Sequence, residues 1–379
     1  MTGIALVTGA RSPAALDIAR DMAAAGLTVH MADSSRARIS RWSSVPAAVH
    51  RLSSPVRDPV RFRHDVAALV ARLNPVIVVP TCEEVFHLAA ARADGVDVGP
   101  LFAPDMATLD RLHAKDRFND LACSLGLDAP ATAVLTASVD PGTLDLDRTV
   151  LKACYSRFGA QTLVRPTHAQ AIAIRPTPAR PWIAQALVEG IEHSSYAIAV
   201  DGRVTAFAAY RSTLRMGGGA GYAFRPAQDA VHARMLGASR AIAAGLGASG
   251  QIALDAIDDG QRSWLIECNP RATSGAHLLV GDGRLARAMM GHDGIVAGGG
   301  GDRYNLPMML THGLVNRSQG AGPLAMLRTG RDVIGAPGDP LPVFGAIADT
   351  AGYAWAARGA RTTLTGATTE DIEWNGARE

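Results

Sequence analysis

Lysine is almost absent from this chain: of its 37 basic residues only Lys115 and Lys152 are lysines, and the rest are arginines. A chain that uses arginine by default and keeps two ammonium groups points to positions where a planar guanidinium fork would not serve, although the count alone weighs function and chance equally. Cysteine is scarce as well. Cys82, Cys123, Cys154 and Cys268 show no CxxC spacing, which excludes a disulfide scaffold and a zinc site and leaves each thiol as buried filler. There is no excess of one charge, because 37 basic residues face 35 acidic ones for a net +2, so neither nucleic acid nor an anionic membrane is expected as a partner. Long apolar runs are missing too: the stretches 75–80 and 196–200 fall far short of the roughly 20 residues that span a bilayer. Residues 1–7 lack a basic n-region and read as a first strand rather than a signal peptide, so the expected location is the cytoplasm. What the chain does have is length. Its 379 residues, 48% of them hydrophobic, suffice for two or three domains at roughly 150 residues each.

An apolar run over 3–8, helical periodicity over 13–25 ending at Gly26, and a second apolar run over 27–32 closed by Asp33 predict a β-α-β opening. A helix over about 58–73 then leads through Asn74-Pro75 into a strand over 76–79, and Thr81 is placed to cap a further helix carrying Glu83 and Glu84. This alternation predicts an α/β fold with a parallel sheet covered by helices on both faces. From about residue 134 short strand-like pieces appear at 149–152, 161–164, 172–174 and 182–187, which suggests a small subdomain over about 125–190. Asp201-Gly202 between two apolar runs predicts a hairpin, followed by a Gly-rich loop over 216–221 and a helix over about 227–245. Beyond residue 300 the chain is rich in Gly and Pro and offers no recognisable site.

Two constellations carry chemistry. Residues 7–15 with Asp33 invite a dinucleotide reading, but only Gly9 of a GxGxxG fingerprint is present, with Arg11 and Pro13 where the backbone would meet pyrophosphate. Residues 252–260 and 263–271 read as two strands around a turn containing Asp259-Gly260. A three-residue loop centred on Gln261 sets Asp255 opposite Glu267, with Cβ atoms about 4.5–5.5 Å apart in such a pair, and these carboxylates with the Asn269 amide form a hard oxygen set suited to Mg²⁺. A two-residue turn sets Asp255 opposite Trp264 instead and leaves a solvated acidic hairpin.

The segment Glu267-Cys-Asn-Pro-Arg271, with Asp255 twelve positions upstream, resembles the metal-binding hairpin of the ATP-grasp superfamily of ligases. Other landmarks follow in that family's order. Residues 113–117, containing Lys115, resemble its entering lysine segment, and residues 150–159 resemble its strand lysine, Lys152, followed by a small-residue loop over the phosphates with Ser156 and Gly159. Residues 185–192 resemble the hinge that reads adenine, with Gln185, the Val188 amide and Glu192 as the ribose acid. The resemblance implies a Rossmann-like pre-ATP-grasp domain over 1–113, a two-part ATP-grasp fold over 114–290 and a C-terminal region over 291–379 of unassigned role. It implies ATP with Mg²⁺ or Mn²⁺, held by Asp255, Glu267 and Asn269, with Lys115 and Lys152 on the phosphates and Arg271 on the transferring group. Arg211 and Arg215 are candidates to clamp a carboxylate, Ser274-Gly275 a candidate helix start facing an acyl phosphate, and His193 and His277 read as packed core histidines. The implied reaction is ADP-forming ligation of a small carboxylate to an amine through an acyl phosphate, in a chain that can form a homodimer. The alternatives are a bicarbonate-phosphorylating enzyme of the carbamoyl-phosphate-synthase or biotin-carboxylase kind, and an NAD-dependent oxidoreductase on the N-terminal unit.

Overall fold

The structure, a computed structural model, describes residues 1–138, 140–156, 161–216, 220–292, 296–298, 300–313, 322–360 and 362–376. The chain opens on four parallel strands, β1 (Ile4–Thr8), β2 (Thr28–Asp33), β3 (Ala48–Arg51) and β4 (Ile77–Val79), in the order β3-β2-β1-β4. Local chemistry sets the helices between them. Ser12 caps the helix Pro13–Ala24 by accepting from the Ala15 amide, and Asp58 caps Pro59–Leu73 by accepting from Arg61, each with proline in the first turn where no N–H is needed. Thr81 does not act as the expected cap: its hydroxyl donates to the Thr8 carbonyl, the helix begins at Glu84, and the Glu84 carboxyl turns back to accept from the Thr81 and Cys82 amides.

A small antiparallel sheet follows, built from β5 (Thr132–Leu135), β6 (Thr149–Ala153), β7 (Thr162–Val164) and β8 (Trp182–Ala186) in the order β5-β8-β6-β7. The strand expected at 172–174 is instead the end of a helix, His168–Ala173. A capping box between Thr167 and Gln170 nucleates it, a pairing that outweighs the strand propensity of two isoleucines. The large sheet begins with the expected hairpin. β9 (Ile191–Val200) and β10 (Arg203–Arg215) turn at Asp201-Gly202, both residues with positive φ. β11 (Gly221–Pro226), β12 (Gly250–Asp258), β13 (Ser263–Asn269), β14 (Val296–Ala297), β15 (Arg303–Tyr304) and β16 (Arg331–Asp332) complete it, in the order β13-β12-β9-β10-β11-β15-β16 with β14 on β10. The two faces of this sheet differ. Ala197, Phe207, Leu254, Leu265 and Cys268 pack under the helix Asp229–Leu246, while Tyr196, Tyr210 and Ala253 face the N-terminal domain and the site.

The C-terminal region, for which the sequence suggested no role, closes the molecule. The helix Pro342–Ala360 lies against Arg38–Arg41, and residues 362–376 run over the carboxyl ends of the parallel strands. Arg11, its side chain 5% exposed, ties this strap down by bonding Asp371 at 2.6 Å and Asp33 at 2.6 Å, and Trp374 stacks on Phe86 with ring centroids 5.9 Å apart. Asp371→Ala leaves Asp33 as the one carboxylate facing Arg11 among the described residues, with the Thr368 carbonyl as its remaining bond to the strap. The expected result is a loss of about 1–3 kcal/mol, read as a lower melting temperature, with faster proteolytic release of the C-terminal segment. Cys154 and Cys268 are buried as expected, but Cys123 is exposed at the end of the helix Lys115–Ser124. Among the described residues no helix is long and apolar enough to cross a membrane.

Candidate functional site

The β12–β13 hairpin opposes Asp255 to Glu267, by a route the sequence did not suggest. Its loop has four residues, since Asp258 pairs with Ser263, and that register alone would set Asp255 against Ile266. A one-residue shift between Ala256 and Asp255, with Ile266 as the extra residue on β13, restores the pairing. The register then sets Leu254 opposite Cys268 under the helix face, and Ala253 opposite Asn269 on the site face beside the carboxylate pair.

Around this pair the polar groups converge from both antiparallel sheets. Lys115 is 3% exposed; its Nζ lies 3.4 Å from Glu267 Oε2 and donates to the Ser156 carbonyl at 3.3 Å. Lys152 sits on β6 facing away from Leu151 and donates to Gln185 Oε1 on β8 at 3.0 Å, while Gln185 Nε2 donates to Thr132 at 3.1 Å. Asn269 Nδ2 approaches Asp255 Oδ2 at 3.3 Å and Glu267 Oε1 at 3.4 Å, and Arg271 Nη2 donates to Asn269 Oδ1 at 3.1 Å. Burial and the neighbouring Glu267 push the Asp255 carboxyl well above the usual carboxylate range, against the Ser194 hydroxyl that donates to it at 2.6 Å. Glu267 is held low: burial opposes its charge, but Lys115 and Lys152 together outweigh that penalty. Burial lowers the Lys152 pKa, with Glu267 acting against it. The site therefore holds its carboxylates in two different protonation tendencies.

Asp255→Asn tests that asymmetry in the metal-free protein. A carboxyl whose pKa is raised on folding binds more protons in the native state, so its share of stability falls as pH rises from the ordinary Asp range toward the raised value. Replacing it with the amide should hold or raise the melting temperature at neutral pH and flatten this dependence; a large destabilisation at neutral pH would contradict it.

Other expected residues lie at the margin. Glu192 on β9, the residue expected to be the ribose acid, pairs with Arg215 Nη2 at 2.7 Å, so the expected carboxylate clamp already faces a carboxylate of the chain. Val188 lies in the connection between β8 and β9, and its amide has no partner among the described residues. Gly159 falls outside the described residues, as does most of the Gly-rich loop after Met216. Arg211 is exposed, paired in register with Arg225 and on the same helix-side face of β10 as Ala209, so it does not reach the site. His193 is buried with Nδ1 at the Ile191 carbonyl, and His277 is buried against Asp17 at 2.8 Å. Ser274 begins a short 3-10 segment, Ser274–Leu278, rather than an α-helix. A Cβ on the following Gly275 would lie 2.4 Å from the Tyr196 Cβ, so this backbone fits against the sheet only without a side chain. Ser194 and Thr132 escaped the sequence reading; Ser194 follows Glu192 by two along β9, and strand alternation alone would have put it on the same face.

Two cavities adjoin the cluster. The larger, about 1070 Å³, is lined by Ala153, Leu163 and Trp182, which lie on the side of the small sheet away from Lys152. It therefore does not receive the lysine. The other, about 380 Å³, lies between the N-terminal domain, Arg271 and the C-terminal strap, and shares Met216, Ala220 and Thr369 with the first.

No family model matches the chain, and no curated protein does. Solved structures do. N5-carboxyaminoimidazole ribonucleotide synthetase from Thermus thermophilus is similar over 79% of this chain and 82% of its own, at 18% identity and a TM-score of 0.59. L-amino acid ligase from Bacillus licheniformis is similar over 76% and 74%, at 13% identity and a TM-score of 0.56. The biotin carboxylase domain of Hydrogenobacter thermophilus 2-oxoglutarate carboxylase, a dimer solved with MgADP and bicarbonate, is similar over 76% and 70%, at 12% identity and a TM-score of 0.59.

Proposed function

On the ATP-grasp fold it shares with these enzymes, we propose that the chain is an ADP-forming ligase that phosphorylates a carboxylate and joins the acyl phosphate to an amine. The observation that carries this reading is the convergence of the chain's two lysines, from different segments, on the carboxylate pair of one hairpin. Two buried ammonium groups and two opposed carboxylates are the charges that a nucleoside triphosphate and a divalent cation together would balance.

Lys115 and Lys152 would hold the α- and β-phosphates, Ser156 would border the phosphate loop, Gln185 and the Val188 amide would meet the base, and Glu192 the ribose hydroxyls. Asp255, Glu267 and Asn269 fit Mg²⁺ or Mn²⁺ by donor chemistry, once Asn269 turns its amide oxygen from Arg271 toward the carboxylates. When bound, the ion neutralises charge on the β- and γ-phosphate oxygens. Arg271, released when the Asn269 amide turns, would steady the attacking carboxylate. The acid's oxygen attacks the γ-phosphorus, ADP leaves, and the amine then displaces phosphate from the acyl carbon.

The bicarbonate alternative is disfavoured by the 380 Å³ of the cavity beside Arg271, which exceeds what that small anion needs. The oxidoreductase alternative finds no support: Asp33, its ribose acid, already accepts from the Arg11 amide, the Arg11 guanidinium and the Ser35 amide. Incubation with MgATP, hydroxylamine and a panel of acids should yield ADP, phosphate and a hydroxamate. AMP with pyrophosphate, or NADH formed without nucleotide cleavage, would refute the reading.

A further inference from the structure

The cavity beside Arg271 has a charge inventory that restricts its ligand. Four ionisable residues border it that bear on an anion: Arg11, Glu83, Arg271 and His277. Arg11 is committed to Asp33 and Asp371, Glu83 is buried with one oxygen accepting from the Trp374 amide, and the His277 ring is held by Asp17. Arg271 makes only hydrogen bonds to neutral groups, Asn269 Oδ1 and the Ala272 carbonyl, and among the described residues it alone of these cations lacks a carboxylate partner. Met216, Phe224, Met308, Val333 and Leu364 give the wall an apolar part, beside neutral polar side chains such as Ser274 and Asn305. Met308, Val333 and Leu364 come from the C-terminal region, Leu364 from its strap.

We infer that the acid substrate is a monoanionic carboxylic acid with an apolar body. Its carboxylate would meet Arg271, and its hydrocarbon would lie against Met308, Val333 and Leu364. One guanidinium without a carboxylate partner matches one carboxylate bidentately, whereas a phosphorylated sugar or a dicarboxylate would bring a further charge into a wall whose other cations, among the described residues, already face carboxylates. At about 380 Å³ the cavity stands near the small end of the roughly 300–1,000 Å³ typical of small-molecule sites. The inference rests on the ligase reading for the acid's role, but binding can be measured apart from chemistry.

Calorimetry on the full chain with the straight monocarboxylates from acetate to octanoate should show affinity rising about fourfold per methylene until the cavity is filled. A dicarboxylate of equal length should bind at least about tenfold more weakly, and ribose 5-phosphate more weakly still. Arg271→Gln should weaken the whole series. Met308→Lys, at a half-buried position, should narrow or reverse the preference over the dicarboxylate, and Leu364→Lys offers the same charge from the strap should the first variant fail to fold. A flat series, or tighter binding of the dicarboxylate or sugar phosphate to the parent, overturns the inference. Acids that bind in the expected order yet release no ADP with MgATP and hydroxylamine overturn the ligase reading and leave the pocket assignment standing.

Discussion

Lys152→Ala is expected to lower MgADP and MgATP affinity by roughly two orders of magnitude, and Lys152→Arg to recover only a small part of it. The ammonium lies in a buried niche, bonded to Gln185 at 3.0 Å with Glu267 as its favourable charge. Burial already works against its protonation, so phosphate oxygens arriving beside it would restore a charge the protein alone holds at a cost. A guanidinium carries its charge on a wider plane and would have to displace Gln185, which is itself fixed by Thr132. Titration calorimetry with the magnesium nucleotide reads the effect directly. Parent-like affinity in Lys152→Arg would show that the choice of lysine in an arginine-rich chain was chance.

Glu267→Gln should lower kcat by about 10²–10³ and raise the Mg²⁺ concentration needed for half-maximal turnover, since on the proposed reading it removes a charged metal ligand. Repulsion between opposed carboxylates predicts from the sequence that either amide variant leaves the metal-free protein as stable or more so. The structure separates the two. Glu267 is the counter-charge of both Lys115 and Lys152, so Glu267→Gln strands two buried ammonium groups and should cost about 1–3 kcal/mol, in contrast to Asp255→Asn. The pH dependence has the opposite sign as well. A carboxyl whose pKa is lowered on folding contributes stability above its unfolded pKa and loses it as pH falls through the folded value, so this contribution should vanish on acidification, in the window below the ordinary Glu range. Paired thermal melts of the two variants across pH decide between symmetric repulsion and this division of roles.

Much of this arrangement was legible in the residues themselves. The opening β-α-β unit follows from caps and prolines that act locally, and the Asp201-Gly202 turn from two residues that tolerate positive φ. Opposition of Asp255 to Glu267 was one of two registers the hairpin allowed, and the count that favoured it had the right sum with the wrong parts. Nothing in Ile266 marks it as the extra residue, because an isoleucine there fits an alternating strand as well as a bulge. The C-terminal strap was illegible for another reason. Its partners, Arg11, Glu83 and Phe86, lie almost 300 residues or more away in the chain, and contacts at that separation leave no periodicity to read.

The extra residue at Ile266 also governs which changes in chain length this hairpin can survive. Were Ile266 paired in register instead of extra, Glu267 would pair across from Leu254 and point under the helix Asp229–Leu246, where Leu265 and Cys268 now pack. Loss of Ile266 itself would leave Asp255 and Glu267 opposed across a regular pair, and a residue lost from the loop 259–262 at the same time as one gained in the strand also leaves the two carboxylates facing each other. Related chains that keep twelve positions between these two carboxylates should show loop lengths and strand irregularities that vary together, with the parity of their sum unchanged.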